Sequence, residues 1–159
     1  MKLFLSTYNY KVDKKGRISL PASFRSCISE KKSTEIILFK SFKYKAIEGC
    51  SYSRIENISK RIEQLDIFSD EQDDFLTSIF SELQYVKLDS EGRFTIPEDL
   101  KKYANINNEV TFIGLGHSFQ LSDPKFAIQR QKESRSRNLE QKRTLKTNLS
   151  KNKNEHSNK

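Results

Sequence analysis

A five-residue pattern, Asp-x-x-Gly-Arg, occurs twice in this chain and is the arrangement of side chains best suited to do chemistry. The first copy runs from Asp13 to Arg17 and the second from Asp89 to Arg93. A carboxylate and a guanidinium on opposite sides of a tight turn can form a bidentate ion pair that fixes the turn. The arginine can instead contact phosphates or base edges of DNA. The pattern alone is compatible with both roles.

An enzymatic interpretation would make Asp13 and Asp89 general bases or metal ligands. No His, Cys or second carboxylate recurs with both copies, and the chain has neither a glycine-rich phosphate loop nor a nucleophile elbow. Cys27 and Cys50 lie in unrelated contexts and far from both histidines, so zinc-site spacing is absent. We therefore expect reduced, packed cysteines and no catalytic residue, metal, cofactor or small-molecule substrate.

The two copies belong to a longer internal repeat. VDKKGRISLP (residues 12–21) aligns without a gap to LDSEGRFTIP (residues 88–97), and the offset is 89 − 13 = 76 residues. Two homologous half-domains are the natural explanation. Asp, Gly, Arg and Pro are identical in the two copies, and among these we expect a structural role for Asp13, Gly16, Pro21, Asp89, Gly92 and Pro97.

The elements around each turn are predicted from hydrophobic alternation. Each copy reads as strand, tight turn, strand and short helix, with a glycine where a hairpin needs a positive φ and a proline that suits the start of a helix. The second short helix is predicted over 97–104. Further strands are predicted at 35–40, 44–47, 110–114 and 118–121, with amphipathic helices between 55 and 83.

The net charge of +8 is unevenly distributed. Residues 1–45 hold eleven basic and three acidic groups, residues 46–129 hold eight and fifteen, and residues 130–159 hold ten and three. Lys14 and Lys15 flank the first motif, whereas Ser90 and Glu91 occupy the same places in the second. From residue 129 onward large apolar residues are scarce, so we expect a mostly disordered tail that is either solubilising or a non-specific phosphate-contacting arm.

No membrane segment is expected. The longest clean apolar run is Ile36–Phe39, far short of the roughly 18 residues that a spanning helix needs. Polar residues from Ser6 onward interrupt any signal-peptide core. The expected location is cytoplasmic, with no membrane partner.

The segments VDKKGRISLPASFR and LDSEGRFTIPEDLKKYA, with helices between them, resemble the MraZ family of bacterial DNA-binding transcriptional regulators over about residues 4–128. The resemblance implies an α+β fold of two pseudo-symmetric, swapped-hairpin half-domains of the SpoVT–AbrB type, assembled into a ring-shaped homo-oligomer. The half-domains would span 1–50 and 85–128, joined by helices over 51–84 and followed by a tail over 129–159.

The resemblance also implies binding to short direct repeats of double-stranded DNA in the chain's own promoter. Such binding would repress the division and cell-wall gene cluster and place the protein at the nucleoid. Motif and charge together assign DNA binding to Lys14, Lys15, Arg17, Arg25 and Arg93, with the first copy favoured. The sequence departs from the family pattern at Ser6, where members usually have glycine, and in Phe119–Ser122, where they have tryptophan.

Two other binding classes remain. An antitoxin-like AbrB-fold module would have a protein as its main partner, but the aromatic-poor tail offers few apolar anchors for one. RNA binding would want an RNP-type aromatic pair or a GXXG loop, and the chain has neither.

Overall fold

The structure is a computed structural model that describes residues 2–28, 34–142 and 144–145. It divides into two compact units, Met1–Ala127 and Ile128–Lys159. The strands are β1 (Thr7–Lys11), β2 (Arg17–Ser19), β3 (Glu35–Lys40), β4 (Ile47–Cys50), β5 (Gln84–Lys87), β6 (Arg93–Thr95), β7 (Glu109–Gly114) and β8 (Phe119–Ser122). The helices are α1 (Ala22–Ile28), α2 (Tyr52–Glu63), α3 (Asp70–Phe75), which continues as a π-helical segment (Leu76–Phe80), α4 (Glu98–Tyr103) and α5 (Pro124–Glu140).

Six strands form one antiparallel sheet in the order β1-β7-β8-β4-β3-β5, and β2 pairs with β6 in a separate two-stranded ribbon. Strands β1–β4 of the first half correspond in turn to strands β5–β8 of the second half. When each strand of the sheet is replaced by its counterpart, the same order is obtained, read from the opposite edge. The strands on either side of each turn thus pair with the other half of the chain, not with each other as a simple hairpin would. Each half therefore depends on the other for its hydrogen bonding.

The register locates an approximate twofold axis. Ile18 lies opposite Phe94 in the ribbon, and these residues are equivalent in the repeat because 94 − 18 = 76. At the centre of the sheet, the counterpart strands β4 and β8 pair, and Glu48 lies opposite Gln120, with an offset of 120 − 48 = 72. The Gln120 amide donates a hydrogen bond to the Glu48 carboxylate. Since both pairs join counterpart residues, the axis passes through the middle of the ribbon and of the sheet.

The main core lies between the sheet and a layer formed by the ribbon, α1 and α4. Four buried phenyl rings form its centre, with centroid separations of 5.0–6.1 Å: Phe4, Phe24, Phe112 and Phe119. Alternate residues of β3 face opposite sides of the sheet, so Ile36 enters this core while Ile37 joins a second cluster with Ile55 of α2. Both sides of the β3 region are therefore covered.

Most predicted elements lie where the alternation placed them, but two differ. The strand predicted at 44–47 instead begins at Ile47, because residues 41–45 form a turn whose carbonyl groups at Ser41 and Tyr44 accept hydrogen bonds from the Tyr103 hydroxyl (2.9 and 3.3 Å). The helix predicted over 97–104 is found as Glu98–Tyr103.

The structure differs more from the prediction in the tail, the segment after residue 128. Residues 129–140, predicted to be disordered, lie in α5. The Asp123 carboxylate accepts hydrogen bonds from the backbone amides of Lys125 and Phe126, which starts the helix, and Gln, Lys, Arg and Glu then favour its continuation. The rest of that prediction, for residues 143 and 146–159, lies outside the described residues.

Ser6 occupies a left-handed conformation, with φ at 76°. This is the position where glycine was the expected family residue, and the conformation explains that preference because glycine adopts positive φ without a Cβ clash. No helix within residues 2–28, 34–142 and 144–145 is both long enough and apolar enough to cross a membrane.

Candidate nucleic-acid interface

Both Asp-x-x-Gly-Arg segments fold into the same tight turn. The Asp13 amide donates to the Arg17 carbonyl (2.9 Å) and the Gly16 amide donates to the Asp13 carbonyl (3.0 Å). The equivalent bonds in the second turn measure 2.8 and 3.0 Å. Gly16 has a φ of 78° and Gly92 a φ of 75°, which confirms the positive φ predicted at these two turn positions.

The aspartate organises each turn from within. One Asp13 carboxylate oxygen accepts from the backbone amides of Lys15 (2.9 Å) and Arg17 (2.8 Å), and the other accepts from Arg17 Nε (2.8 Å). Asp89 makes the same bonds to Glu91 and Arg93. The backbone amide of the arginine is the largest cause that holds the pKa of each aspartate below its ordinary value, and the arginine side chain and the other amide add to it.

The ion pair differs in one respect from the bidentate fork expected at this spacing. Only the Nε atom of each arginine bonds to its aspartate, so the Nη groups are left for other partners. Arg93 uses one of them, since its Nη1 lies 3.3 Å from a Glu91 carboxylate oxygen. Within the described residues, the Nη groups of Arg17 make no hydrogen bond or ion pair, and its side chain is 31% exposed.

The two turns lie at opposite ends of the β2–β6 ribbon. Ile18 and Phe94, each 2% exposed, face the core. Because side chains alternate along a strand, the other face carries four polar side chains: Arg17, Ser19, Arg93 and Thr95. Ser19 and Thr95 were missed as candidate residues, although their alternation with buried neighbours was visible in the sequence. A two-stranded ribbon of this kind fits the major groove of B-DNA.

Charge distinguishes the two ends of the ribbon. Lys14 and Lys15 are exposed at the first turn, next to Arg17. Exposed Ser90 and Glu91 occupy the second turn. The first end therefore presents an uncompensated positive charge to solvent, while Glu91 partly neutralises the second.

Arg25 does not join the first turn, contrary to its expected grouping with Lys14 and Lys15. Its Nη1 donates to the Glu91 carbonyl (2.9 Å), and a Cβ at Gly92 would lie 2.1 Å from that atom. The antiparallel ribbon is the reason, because it places the end of β2 beside the second turn, where the Leu20 amide donates to the Gly92 carbonyl. The counterpart of Arg25 is at 25 + 76 = 101, which is Lys101 of α4.

The predicted site residues thus form two groups. Lys14, Lys15 and Arg17 lie at the first end of the ribbon, and Arg25 and Arg93 contact Glu91 at the second end. The assignment of all five to DNA binding stays a prediction, and the structure gives Arg25 and Arg93 additional contacts within the chain.

Both cysteines are reduced thiols; Cys50 is buried and Cys27 is half-buried. Burial raises the pKa of the Cys50 thiol to about 12, which keeps it protonated and unreactive. The Cys27 thiol donates to the Ser23 carbonyl (3.4 Å). Among the residues that the structure describes, no group of three or more His, Cys, Asp or Glu side chains could hold a metal ion.

The fold and the paired turns define a class: a two-repeat α+β protein in which a central β-ribbon displays two arginine turns. A family model described as "MraZ protein, putative antitoxin-like" matches residues 3–76 and 79–148, one match for each repeat. The chain belongs to the MraZ family. The two matches also place α5 inside the second repeat, as α2 lies inside the first.

Relatives of the chain support this membership. It is 44% identical over 136 residues to a protein of Pelagibacter ubique (strain HTCC1062), which covers 83% of this chain and 88% of that protein. It is 39% identical over 125 residues to a protein of Rickettsia canadensis, and the match covers 79% of this chain and 84% of that protein. It is 36% identical over 140 residues to a protein of Gluconacetobacter diazotrophicus, and the match covers 86% of this chain and 89% of that protein. All three are named "Transcriptional regulator MraZ". The name denotes a regulator and not an enzyme, in agreement with the sequence prediction.

Proposed function

We propose that this chain is a sequence-specific DNA-binding transcriptional regulator that reads double-stranded DNA with the first end of its β2–β6 ribbon. The observation that carries the proposal is the pair of Arg17 Nη groups, which have no partner in the described part of the chain and lie beside exposed Lys14 and Lys15. The names of the relatives support a regulatory role.

In this proposal the ribbon makes two kinds of contact with DNA. Lys14 and Lys15 contact phosphates, which sets the affinity and its dependence on salt. Arg17 is held by Asp13 through Nε, so its Nη groups are oriented in advance toward guanine or a phosphate. Because the same aspartate fixes both the turn and the arginine, little ordering of either is needed on binding.

The family resemblance extends the proposal to the promoter. Several chains in a ring-shaped homo-oligomer present first turns to evenly spaced direct repeats, and the combined contacts bind far more tightly than one turn does. Occupancy of the chain's own promoter blocks transcription of the division and cell-wall gene cluster, and the protein is located at the nucleoid.

The matched pair Arg17→Ala and Arg93→Ala tests this proposal. Both variants remove the same ion pair from equivalent turns, so we expect similar losses of thermal stability. Arg17→Ala should weaken binding to the chain's own promoter roughly ten- to hundredfold, as removal of one good base contact does, and Arg93→Ala should weaken it less. Fluorescence anisotropy with the promoter and a scrambled duplex measures the difference. Equal effects of the two variants, or equal binding to both duplexes, would contradict the proposal.

The antitoxin-like alternative has less support. The words appear in the description of the family model. The chain after Phe126 contains no aromatic residue, and large apolar anchors of that kind are what a tail that wraps a protein partner needs.

A further inference from the structure

Two exposed surfaces of the first unit combine apolar side chains with charge, and their charges are opposite. We call residues 66–76 the acidic surface and residues 40–45 the basic loop. Between Arg61 and Lys87 the chain has seven acidic residues and no basic one. Between Glu35 and Glu48 it has three lysines and no acidic residue.

The acidic surface exposes four large apolar side chains within ten residues. Phe68 is 89% exposed and Ile67 69%, while Phe75 and Leu76 are 46% and 40% exposed. The turn that carries Phe68 is fixed, since the Phe68 amide donates to the Asp66 carboxylate (3.0 Å). Isolated exposed apolar residues need no explanation, but a group with a charged border is typical of a protein–protein contact.

The charged border consists of Asp66, Asp70, Glu71, Asp73 and Asp74. In the described part of the chain, none of these carboxylates forms an ion pair with Lys or Arg. Asp70, Glu71 and Asp73 favour the start of α3 through the helix dipole. That local role explains neither Asp66 and Asp74 nor the apolar side chains that the five acids surround.

The basic loop has the complementary composition. Phe42 is 63% exposed, and Lys43 and Lys45 are exposed on either side of Tyr44. The loop is held in shape by the Tyr103 hydroxyl and by the Ser41 hydroxyl, which accepts from the Lys43 and Tyr44 amides (3.4 Å each). Lys45 Nζ lies 4.5 Å from the centroid of the Tyr103 ring. A loop ordered in this way loses little entropy when a partner binds.

We propose that the acidic surface of one copy docks on the basic loop of the next copy. Both surfaces have apolar side chains surrounded by charge, the usual anatomy of a specific interface, and their charges attract. An exposed phenylalanine among the lysines favours a protein partner over the phosphate backbone of DNA. The two surfaces differ, so the contact is head-to-tail, and repetition of such a contact closes a ring or extends a filament. The inference rests on the assembly part of the proposed function and does not require DNA binding.

Charge reversal of the full chain tests the contact by size-exclusion chromatography with light scattering. The acidic-surface variant is Asp73→Lys with Asp74→Lys, and the basic-loop variant is Lys43→Glu with Lys45→Glu. Each alone should shift the wild-type assembly toward the 18.6 kDa single chain. An equimolar mixture should recover the wild-type mass, because the two intact surfaces attract each other and the two reversed surfaces also carry opposite charges, so the variants can alternate. The control, Lys125→Glu with Lys132→Glu, should keep the wild-type mass.

Several results would overturn the inference. These are a monomeric wild-type chain, reversed variants of unchanged mass, or a mixture that fails to reassemble although both variants keep wild-type circular dichroism. A second copy is also excluded if the basic-loop variant keeps its mass but binds a single DNA repeat more weakly, since the loop then contacts phosphates. Binding to a single repeat separates this inference from the proposed function: disrupted assemblies should retain it, whereas Arg17→Ala should weaken it.

Discussion

At the scale of single residues, Asp13 and Asp89 do more than neutralise an arginine. Each carboxylate gathers two backbone amides and one Nε atom, so a single side chain fixes the turn and orients a guanidinium. The use of Nε keeps the Nη groups out of this ion pair: among the described residues those of Arg17 have no other partner, whereas Arg93 Nη1 lies 3.3 Å from a Glu91 carboxylate oxygen. The two roles that the sequence left open are thus compatible within one arginine.

The stability of the turns should depend on pH. The pKa of both aspartates is lowered from the ordinary value of 3.8, chiefly by the backbone amides of Arg17 and Arg93. A lowered folded-state pKa means that the stabilisation is complete above the unfolded value and is lost as the pH falls through the folded value. The wild-type chain should therefore lose stability below about pH 4 more steeply than the variant Asp13→Asn with Asp89→Asn.

Urea denaturation midpoints over this pH range measure the effect. Glu56→Gln with Glu109→Gln, two exposed carboxylates outside the turns, serves as the control and should follow the wild-type curve. If the midpoints of the wild type and of the aspartate variant changed in parallel with pH, the turns would not contribute to the pH dependence of stability.

The spacing of residues could predict the Asp–Arg pair and the positive φ of Gly16 and Gly92. It could not predict the position of Arg25, because sequence proximity groups that residue with the first turn. Only the antiparallel register of the ribbon shows that the start of α1 lies beside the second turn.

At the scale of elements, the two turns share a backbone but not their surroundings. Among the residues that the structure describes, a Cβ at Gly16 would have Thr95 Cγ2 as its one neighbour within 4 Å, at 3.9 Å. A Cβ at Gly92 would meet the Arg25 side chain at 2.1 Å, which is closer than van der Waals radii allow. The second turn is therefore packed beneath α1, whereas the first is open.

This difference predicts unequal effects of alanine. Gly16→Ala should destabilise the chain by about 1–2 kcal/mol through the left-handed backbone alone. Gly92→Ala should cost about 1 kcal/mol more, because Arg25 must also give up its hydrogen bond to the Glu91 carbonyl. Urea unfolding measures both free energies. Measured in an Arg25→Ala background, where that hydrogen bond is already absent, Gly92→Ala should cost about as much as Gly16→Ala does, and a persistent difference would show that Arg25 is not the cause.

Local patterns predicted the elements whose partners are local. The strands near 35–40 and 110–114 and the helix after Pro97 follow from alternation and the proline. The exchange of strands between halves depends on contacts far apart in sequence, so no local pattern shows it. Helix α5 was missed because its polarity suggested disorder, although the position of α2 after β4 in the first repeat was a usable signal for a helix after β8.

At the scale of the whole molecule, the basic and acidic residues that are unevenly distributed along the sequence lie on separate surfaces of the protein. The approximate twofold axis makes the two ends of the ribbon alike in backbone, and substitutions at 14, 15, 90 and 91 make them unlike in charge. The two turns thus share a backbone conformation and differ in charge, and this difference is the reason for proposing that the first turn is the one that contacts DNA. The acidic surface and the basic loop are a second pair of surfaces that differ in charge, and it is these that we propose to meet between copies.

The most direct test of this account is the salt dependence of promoter binding when the first turn is given the residues of the second. Lys14→Ser with Lys15→Glu should weaken binding and reduce the slope of log K against log salt by about two, one for each lysine that no longer neutralises a phosphate. Lys60→Ser with Lys125→Glu changes the net charge equally but lies outside both turns, and it should leave the slope near the wild-type value. Equal reductions in both variants would contradict the account, since overall charge and not the first turn would then hold the DNA.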